Sequence, residues 1–123
     1  MNIVLDTNVI ISATLWEYSV AQKLVTKLLS TPAKMFTTTG ILQEYQKVLY
    51  RDFGFSVDEI LWVADCILPI FRIIEIREKV NVVHEDPSDN KIIECALAFS
   101  ADYIITYDRH LLDIRKFRGM RIN

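Results

Sequence analysis

Short apolar runs of strand type alternate along this chain with segments whose apolar residues recur at helical spacing, and that alternation restricts the possible folds most. Asn2 to Asp6 is the first such run, after which Ala21, Leu24, Val25, Leu28 and Leu29 recur at three- and four-residue intervals. Pro32 ends this helix, Met35 to Thr38 resumes β-type composition, and Ile41, Leu42, Tyr45, Val48 and Leu49 mark a second amphipathic helix. Ser56-Val-Asp-Glu59 has the form of a capping box, in which hydroxyl and carboxylate each satisfy a free backbone donor. The helix it opens runs from Val57 to Leu68 and stops at Pro69. Phe71 to Ile76 reads as a third strand, Ser88 as the cap of a helix carrying Ile92, Ile93, Ala96, Leu97 and Phe99, and Tyr103 to Thr106 as a fourth strand. Asp108 to Ile114 reads as a short helix, and Met120 to Ile122 as a fifth, edge strand behind a turn at Gly119.

Nearly continuous apolar strands separated by helices predict a parallel sheet covered on both faces, because right-handed crossovers place the helices there. The expected fold class is α/β, three layers α/β/α around a central parallel sheet of four to five strands. At 123 residues, with no repeat or linker, residues 1–123 are expected to form a single domain.

Composition narrows the function. An apolar fraction of 51% with 24% charged residues is globular and excludes a disordered interaction segment. The 14 Lys and Arg against 16 Asp and Glu give a net charge of -2, so any polyanion must be bound locally and not by overall attraction. Cys66 and Cys95 form no C-x-x-C pair, which argues against a zinc ribbon or disulfide framework and fits a cytoplasmic protein. Both read as apolar helix positions, and Trp16 and Trp62 as core or dimer contacts. Asp6 interrupts the N-terminus too early for a signal peptide, and no run approaches the roughly twenty apolar residues that span a bilayer, so no membrane partner is expected. His84 and His110 stand alone and read as surface or structural. Arg109, Arg115, Lys116, Arg118 and Arg121 could grip phosphates, although a solvated terminal face is the more ordinary reading of such a run.

In parallel sheets the ligand crevice lies at the carboxyl ends of the strands, and four acids are expected at that edge. Asp6 ends the first strand, Glu44 lies early in the helix after the second, Asp89 opens the helix before the fourth strand, and Asp108 follows that strand. Each has an ordinary alternative: a turn residue at Asp6, a solvated helix glutamate at Glu44, a dipole partner at Asp89, an N-cap at Asp108. Together they repel, since two unit charges about 4 Å apart cost roughly 4 kcal/mol at an effective dielectric of about 20. Either some take up protons or a hard divalent cation neutralises them. Oxygen donors without a His or Cys cluster favour Mg²⁺ or Mn²⁺, and phosphodiester hydrolysis is the natural reaction of such a site.

The residues resemble the PIN-domain nucleases, in particular the branch grouped with the toxins of toxin-antitoxin systems. The likeness rests on Leu5-Asp-Thr-Asn8, Leu42-Gln-Glu-Tyr-Gln-Lys-Val-Leu49, Asp86-Pro-Ser-Asp-Asn-Lys91 with Ala96 downstream, and Thr106-Tyr-Asp-Arg-His-Leu-Leu112, in that order along nearly the whole chain. The resemblance implies that Asp6, Glu44, Asp89 and Asp108 form an acidic centre for Mg²⁺ or Mn²⁺. It makes Asn8 and Thr106 supports through side-chain hydrogen bonds, and Asp86 an outer-shell member. It further implies strand order 3-2-1-4-5, cleavage of single-stranded RNA leaving a 5′-phosphate and 3′-hydroxyl, a homodimer or higher homo-oligomer, and neutralisation by a small antitoxin protein. Tyr107 departs from the pattern, standing where members commonly carry Gly; it reads as an aromatic packed against the loop or, alternatively, as a base-stacking platform.

Two other functions compete with the endoribonuclease. A catalytically inactive PIN-like module would bind RNA or protein without turnover. Aspartyl phosphotransfer at Asp6 is disfavoured, because Asn8 stands where a D-x-D phosphatase motif has its second acid and no convincing lysine follows the fourth strand.

Overall fold

The first apolar run forms β1 (Asn2–Leu5), which lies inside a six-stranded sheet in the computed structural model, where residues 1–83 and 89–123 are described. Parallel neighbours flank it: β2 (Lys34–Thr37) on one side and β4 (Tyr103–Ile105) on the other, with β3 (Phe71–Ile73) parallel to β2. β6 (Met120–Ile122) continues the sheet parallel to β4, and β5 (Lys116–Phe117) closes it antiparallel to β6. The order is β3-β2-β1-β4-β6-β5. The expected arrangement therefore holds, with one added strand, so that Met120–Ile122 is not the edge. Phe117 pairs with Met120 across a two-residue loop in which Arg118 has φ 47° and Gly119 φ 87°. Positive φ at both positions is the type I′ pattern, whose twist suits a hairpin.

The helices show how local signals act. α1 (Thr7–Leu15) is a helix that the apolar periodicity does not announce. Its opening run Val9-Ile-Ile11 is β-branched and buried, which hides the helical period, and burial overrides the weak propensity. α2 (Val20–Leu29) is capped by Ser19, which accepts from the Gln22 amide, and α3 (Thr39–Phe53) by Thr38, which accepts from the Ile41 amide. Gly54 ends α3 at φ 67°, its N–H donating to Leu49 O, a left-handed cap that suits glycine. α4 (Val57–Ile67) opens with the expected capping box of Ser56 and Glu59 and leads through a 3-10 turn, Leu68–Ile70, into β3. β3 is shorter than the apolar run to Ile76 suggests. α5 (Asn90–Ala98) and α6 (Arg109–Ile114) complete the chain's helices among the described residues. The Ser88 cap lies outside those residues, as do His84 and Asp86.

Strand register assigns the faces. Phe36 pairs with Val4 in the ladder and stacks on Phe99 beyond the end of α5, ring centroids 3.7 Å apart, while α5 packs on β1, β2 and β4. Leu5 points to the opposite face, where α1, α2 and α4 surround an apolar groove. Ile3, Val4, Leu5, Ile92, Ile93, Ile104 and Leu111 are all buried, a core continuous through the sheet. Of the two readings given for the tryptophans, the core one fails: Trp16 and Trp62 are 50% and 71% exposed. Among the described residues no helix is long and apolar enough to cross a membrane.

Candidate active site

The carboxyl end of β1 delivers Asp6 to the crevice between the two strands that flank it. Asp6 is 3% exposed, and its amide donates to Ile105 O at 2.9 Å, so the ladder with β4 extends one residue past the strand. Both carboxylate oxygens are held. Oδ1 accepts from the Thr7 amide at 2.7 Å, which also caps α1, and Oδ2 accepts from Thr106 Oγ1 at 2.6 Å. Thr106 follows β4, and its hydroxyl oxygen accepts in turn from the Asp108 amide at 2.9 Å. One hydroxyl thus ties the ends of β1 and β4 together and fixes the turn that presents Asp108.

A second threonine extends the cluster. Thr7 Oγ1 donates to Glu44 Oε2 at 2.6 Å, joining the first turn of α1 to α3. Glu44 Oε1 takes an ion pair from Lys91 Nζ at 2.9 Å, which joins α3 to the first turn of α5. Asp6, Glu44 and Asp108 therefore belong to one network. Burial raises the Asp6 pKa above its ordinary value; the hydrogen bonds from Thr106 and Thr7 oppose this, and the charges of Asp108 and Glu44 add to it. These acids feel one another electrostatically, in keeping with the repulsion expected of them.

Among the described residues no three Asp, Glu, His or Cys side chains form a ready metal-holding group. At Glu44 and Asp6 an ammonium and two threonine hydroxyls offset part of the repulsion among the acids. The ordinary roles fare unevenly. Asp108 does cap α6, Oδ1 accepting from the His110 amide at 2.7 Å. Asp89 occupies the N-cap position of α5 but makes no cap hydrogen bond with its side chain, and it is 9% exposed. Glu44 is no solvated helix residue. Asn8 is exposed, and the hydrogen bond to Glu44 comes from Thr7 beside it. Asp86 lies outside the described residues. Tyr107 is 50% exposed, so half of its surface faces solvent.

Three polar residues escape sequence reasoning. Thr7 sits inside the Asp-Thr-Asn motif, and a hydroxyl beside a strand-end carboxylate is the available signal. Asn90 and Glu94, one helical turn apart, clamp residues 80–83: Val82 and Val83 amides donate to Asn90 Oδ1 at 2.9 and 2.8 Å, and the Val80 amide donates to Glu94 Oε2 at 2.9 Å. Their i, i+4 spacing is legible, their partner is not. By holding this segment to α5 they fix the end of the helix that carries Asp89 and Lys91.

The opposite face carries the groove, a cavity of about 780 Å³ whose lining includes Leu5, Ile10, Val25, Phe55, Trp62 and Phe71. Neither Glu44 nor Asp108 lines it.

A mainly parallel α/β sheet whose carboxyl edge gathers buried and half-buried acids defines the class of fold. The family follows from sequence: residues 2–110 match the profile of the PIN domain, and the chain belongs to the PIN-domain family. No curated protein matches the chain. Solved structures share the fold at low identity. VapBC2 from Rickettsia felis, bound to a DNA fragment from its promoter, aligns with TM-score 0.73 at 14% identity, covering 100% of this chain and 98% of that one. VapBC-1 from nontypeable Haemophilus influenzae aligns with TM-score 0.66 at 15% identity, covering 100% and 97%. Mycobacterium tuberculosis VapC20, a sarcin-ricin loop cleaving toxin, aligns with TM-score 0.62 at 15% identity, covering 97% and 98%.

Proposed function

We propose that this chain is a metal-dependent endoribonuclease that hydrolyses phosphodiester bonds of single-stranded RNA and serves as the toxin of a toxin-antitoxin pair. The observation that carries the reading is the linkage of Asp6, Glu44 and Asp108 through Thr7 and Thr106 at the carboxyl edge of the sheet. Family membership supports a nuclease at the coarse level. The donor set fits a hard cation: every candidate ligand is a carboxylate oxygen, and repulsion among them adds to the raised Asp6 pKa. Asp6, Glu44, Asp89 and Asp108 would hold Mg²⁺ or Mn²⁺, with Asp86 outside them. When bound, such an ion supplies charge stabilisation for the phosphoryl oxygens and a more acidic water.

The chain's own contribution is preorganisation. Thr106 and the Thr7 amide favour an ionised, oriented Asp6 against the cost of burial, and the α6 cap fixes Asp108. The apolar groove gives the second component of the pair a place to dock, since exposed apolar surface of this extent marks association sites. Two of the structures sharing the fold are VapBC complexes, which supports an antitoxin partner. A homodimer or higher homo-oligomer belongs to the same reading.

The test is incubation of the purified chain with single-stranded RNA and MnCl₂. Cleavage should appear, vanish with chelator, and vanish in Asp6→Asn. Tight RNA binding with no cleavage at any Mn²⁺ concentration overturns the enzyme and establishes the binding module, for which the Lys91 ion pair across Glu44 is the favourable observation.

A further inference from the structure

We propose that Lys91 is a built-in counter-cation that competes with the divalent ion for Glu44, so that loading the site requires its ammonium to leave Glu44 Oε1. The inference rests on the metal-centre reading above and deepens it. Lys91 belongs to the first turn of α5, two residues after Asp89, and reaches across to α3, with its Nζ 2.9 Å from Glu44 Oε1. The other oxygen of Glu44 is taken by Thr7 Oγ1 at 2.6 Å. Those two contacts differ in kind. A hydroxyl donor leaves the carboxylate its negative charge and further lone pairs, so a cation can bind beside it. An ammonium on the facing oxygen repels a divalent ion and takes up a lone pair that the ion would use.

The surroundings make this more than a surface ion pair. The side chains of Lys91 and Glu44 are 23% and 29% exposed, so the pair is only partly screened by water. Asp6, whose ionisation Glu44 and Asp108 both disfavour, lies in the same network. Removing the ammonium would leave these carboxylates to repel with only hydroxyls between them. Lys91 thus has two linked effects: it stabilises the folded chain before the ion arrives, and it weakens the ion's hold. It is a positioning residue for metal affinity and not a group that touches the reacting atoms.

The separating experiment is calorimetric titration of chelator-treated full-length protein with MnCl₂, paired with thermal unfolding with and without saturating Mn²⁺. Lys91→Met should bind Mn²⁺ about five- to tenfold more tightly than wild type, the gain expected when a partly screened pair and a like charge are removed together. Its unfolding temperature should fall without Mn²⁺ and return to the wild-type value with it. Lys91→Arg should stay near wild type, and the gain should disappear when Glu44→Gln is combined with Lys91→Met. A salt bridge with only a structural role would lower both unfolding temperatures equally and leave affinity unchanged. That result, with wild type binding Mn²⁺ normally, overturns the role of Lys91 and leaves the metal centre standing. If neither protein takes up Mn²⁺, the metal centre and this inference fall together. Weaker binding by Lys91→Met also overturns it.

Discussion

Leu5 and Asp6 are consecutive, yet they serve two regions built on opposite principles. Asp6 enters a polar edge in which Asp6, Thr7, Thr37, Thr38 and Thr106 at the strand ends, and Asp89 and Asn90 at the start of α5, are all buried. Leu5 lines the apolar groove, above which α4 exposes Val57, Leu61 and Trp62. At the polar edge most demands are met from within: threonines, backbone amides and Lys91 satisfy the carboxylates. In the groove the demand is left open, because apolar surface facing water gains only when something covers it. The difference teaches that one side satisfies its polar groups from within, while the other leaves apolar surface uncovered.

The largest effect should come from the residue beneath the groove. Leu5→Ala should cost about 2–5 kcal/mol of stability by urea unfolding, the usual loss when a fully buried leucine leaves a cavity. A loss below about 1 kcal/mol would mean that the groove collapses freely, and its standing shape would no longer distinguish the two regions. Next in size is Thr106→Val, which deletes the hydroxyl bonded to Asp6 Oδ2 and to the Asp108 amide. Removing a support of this kind typically costs about 10–100-fold in affinity or activity. RNA cleavage should fall by that factor with circular dichroism unchanged, and Thr106→Ser should restore it. If valine is silent, the threonine links do not organise the edge.

Much of that edge is legible in the amino-acid sequence alone, for a physical reason. Strand-end acids follow directly from short apolar runs of strand type, so counting from β1 and β4 places Asp6 and Asp108. The capping box at Ser56 is equally local and forms as its S-x-x-E pattern predicts. What stays hidden is whatever depends on a partner remote in sequence. Thr7 is an ordinary hydroxyl until Glu44, 37 residues away, is seen to accept its proton. Lys91 is a helix lysine until α3 is packed beside α5. Repulsion among the acids has the sign expected, but protons and metal ions are not its sole relief, and charge pairing across helices has no signature in one sequence. β-branched residues that read as strand hide α1, and a positive φ at arginine that no propensity predicts hides the Arg118-Gly119 hairpin. The groove is invisible for the same cause: its walls come from elements far apart along the chain.

A smaller effect separates the regions from the groove side. Trp62 is 71% exposed, so Trp62→Ala should change stability by no more than about 0.5 kcal/mol. If the proposed function holds, it should leave RNA cleavage unchanged, yet weaken binding of the antitoxin partner about thirtyfold or more, as loss of an aromatic anchor does. Titration of the antitoxin against wild type and variant reads the second effect; equal affinities would show that the partner sits elsewhere.

The finest discrimination uses the two thiols, which sequence alone places alike on apolar helix surfaces. Cys66 is exposed and lines the groove, whereas Cys95 is buried in α5. Burial pushes the Cys95 thiol from 9.0 up to about 12. Only the thiolate is nucleophilic, so iodoacetamide near pH 8 should modify Cys66 alone in the folded chain and both thiols after unfolding in urea. The linkage has a definite sign. Below about pH 9 the thiol is protonated in both states and contributes no slope; between about 9 and about 12 the unfolded chain alone loses the proton, so stability falls as pH rises. Cys95→Ala should flatten that alkaline slope. Equal labelling of the two thiols in the folded chain would mean that α5 opens readily, and with it the helix start that positions Asp89 and Lys91.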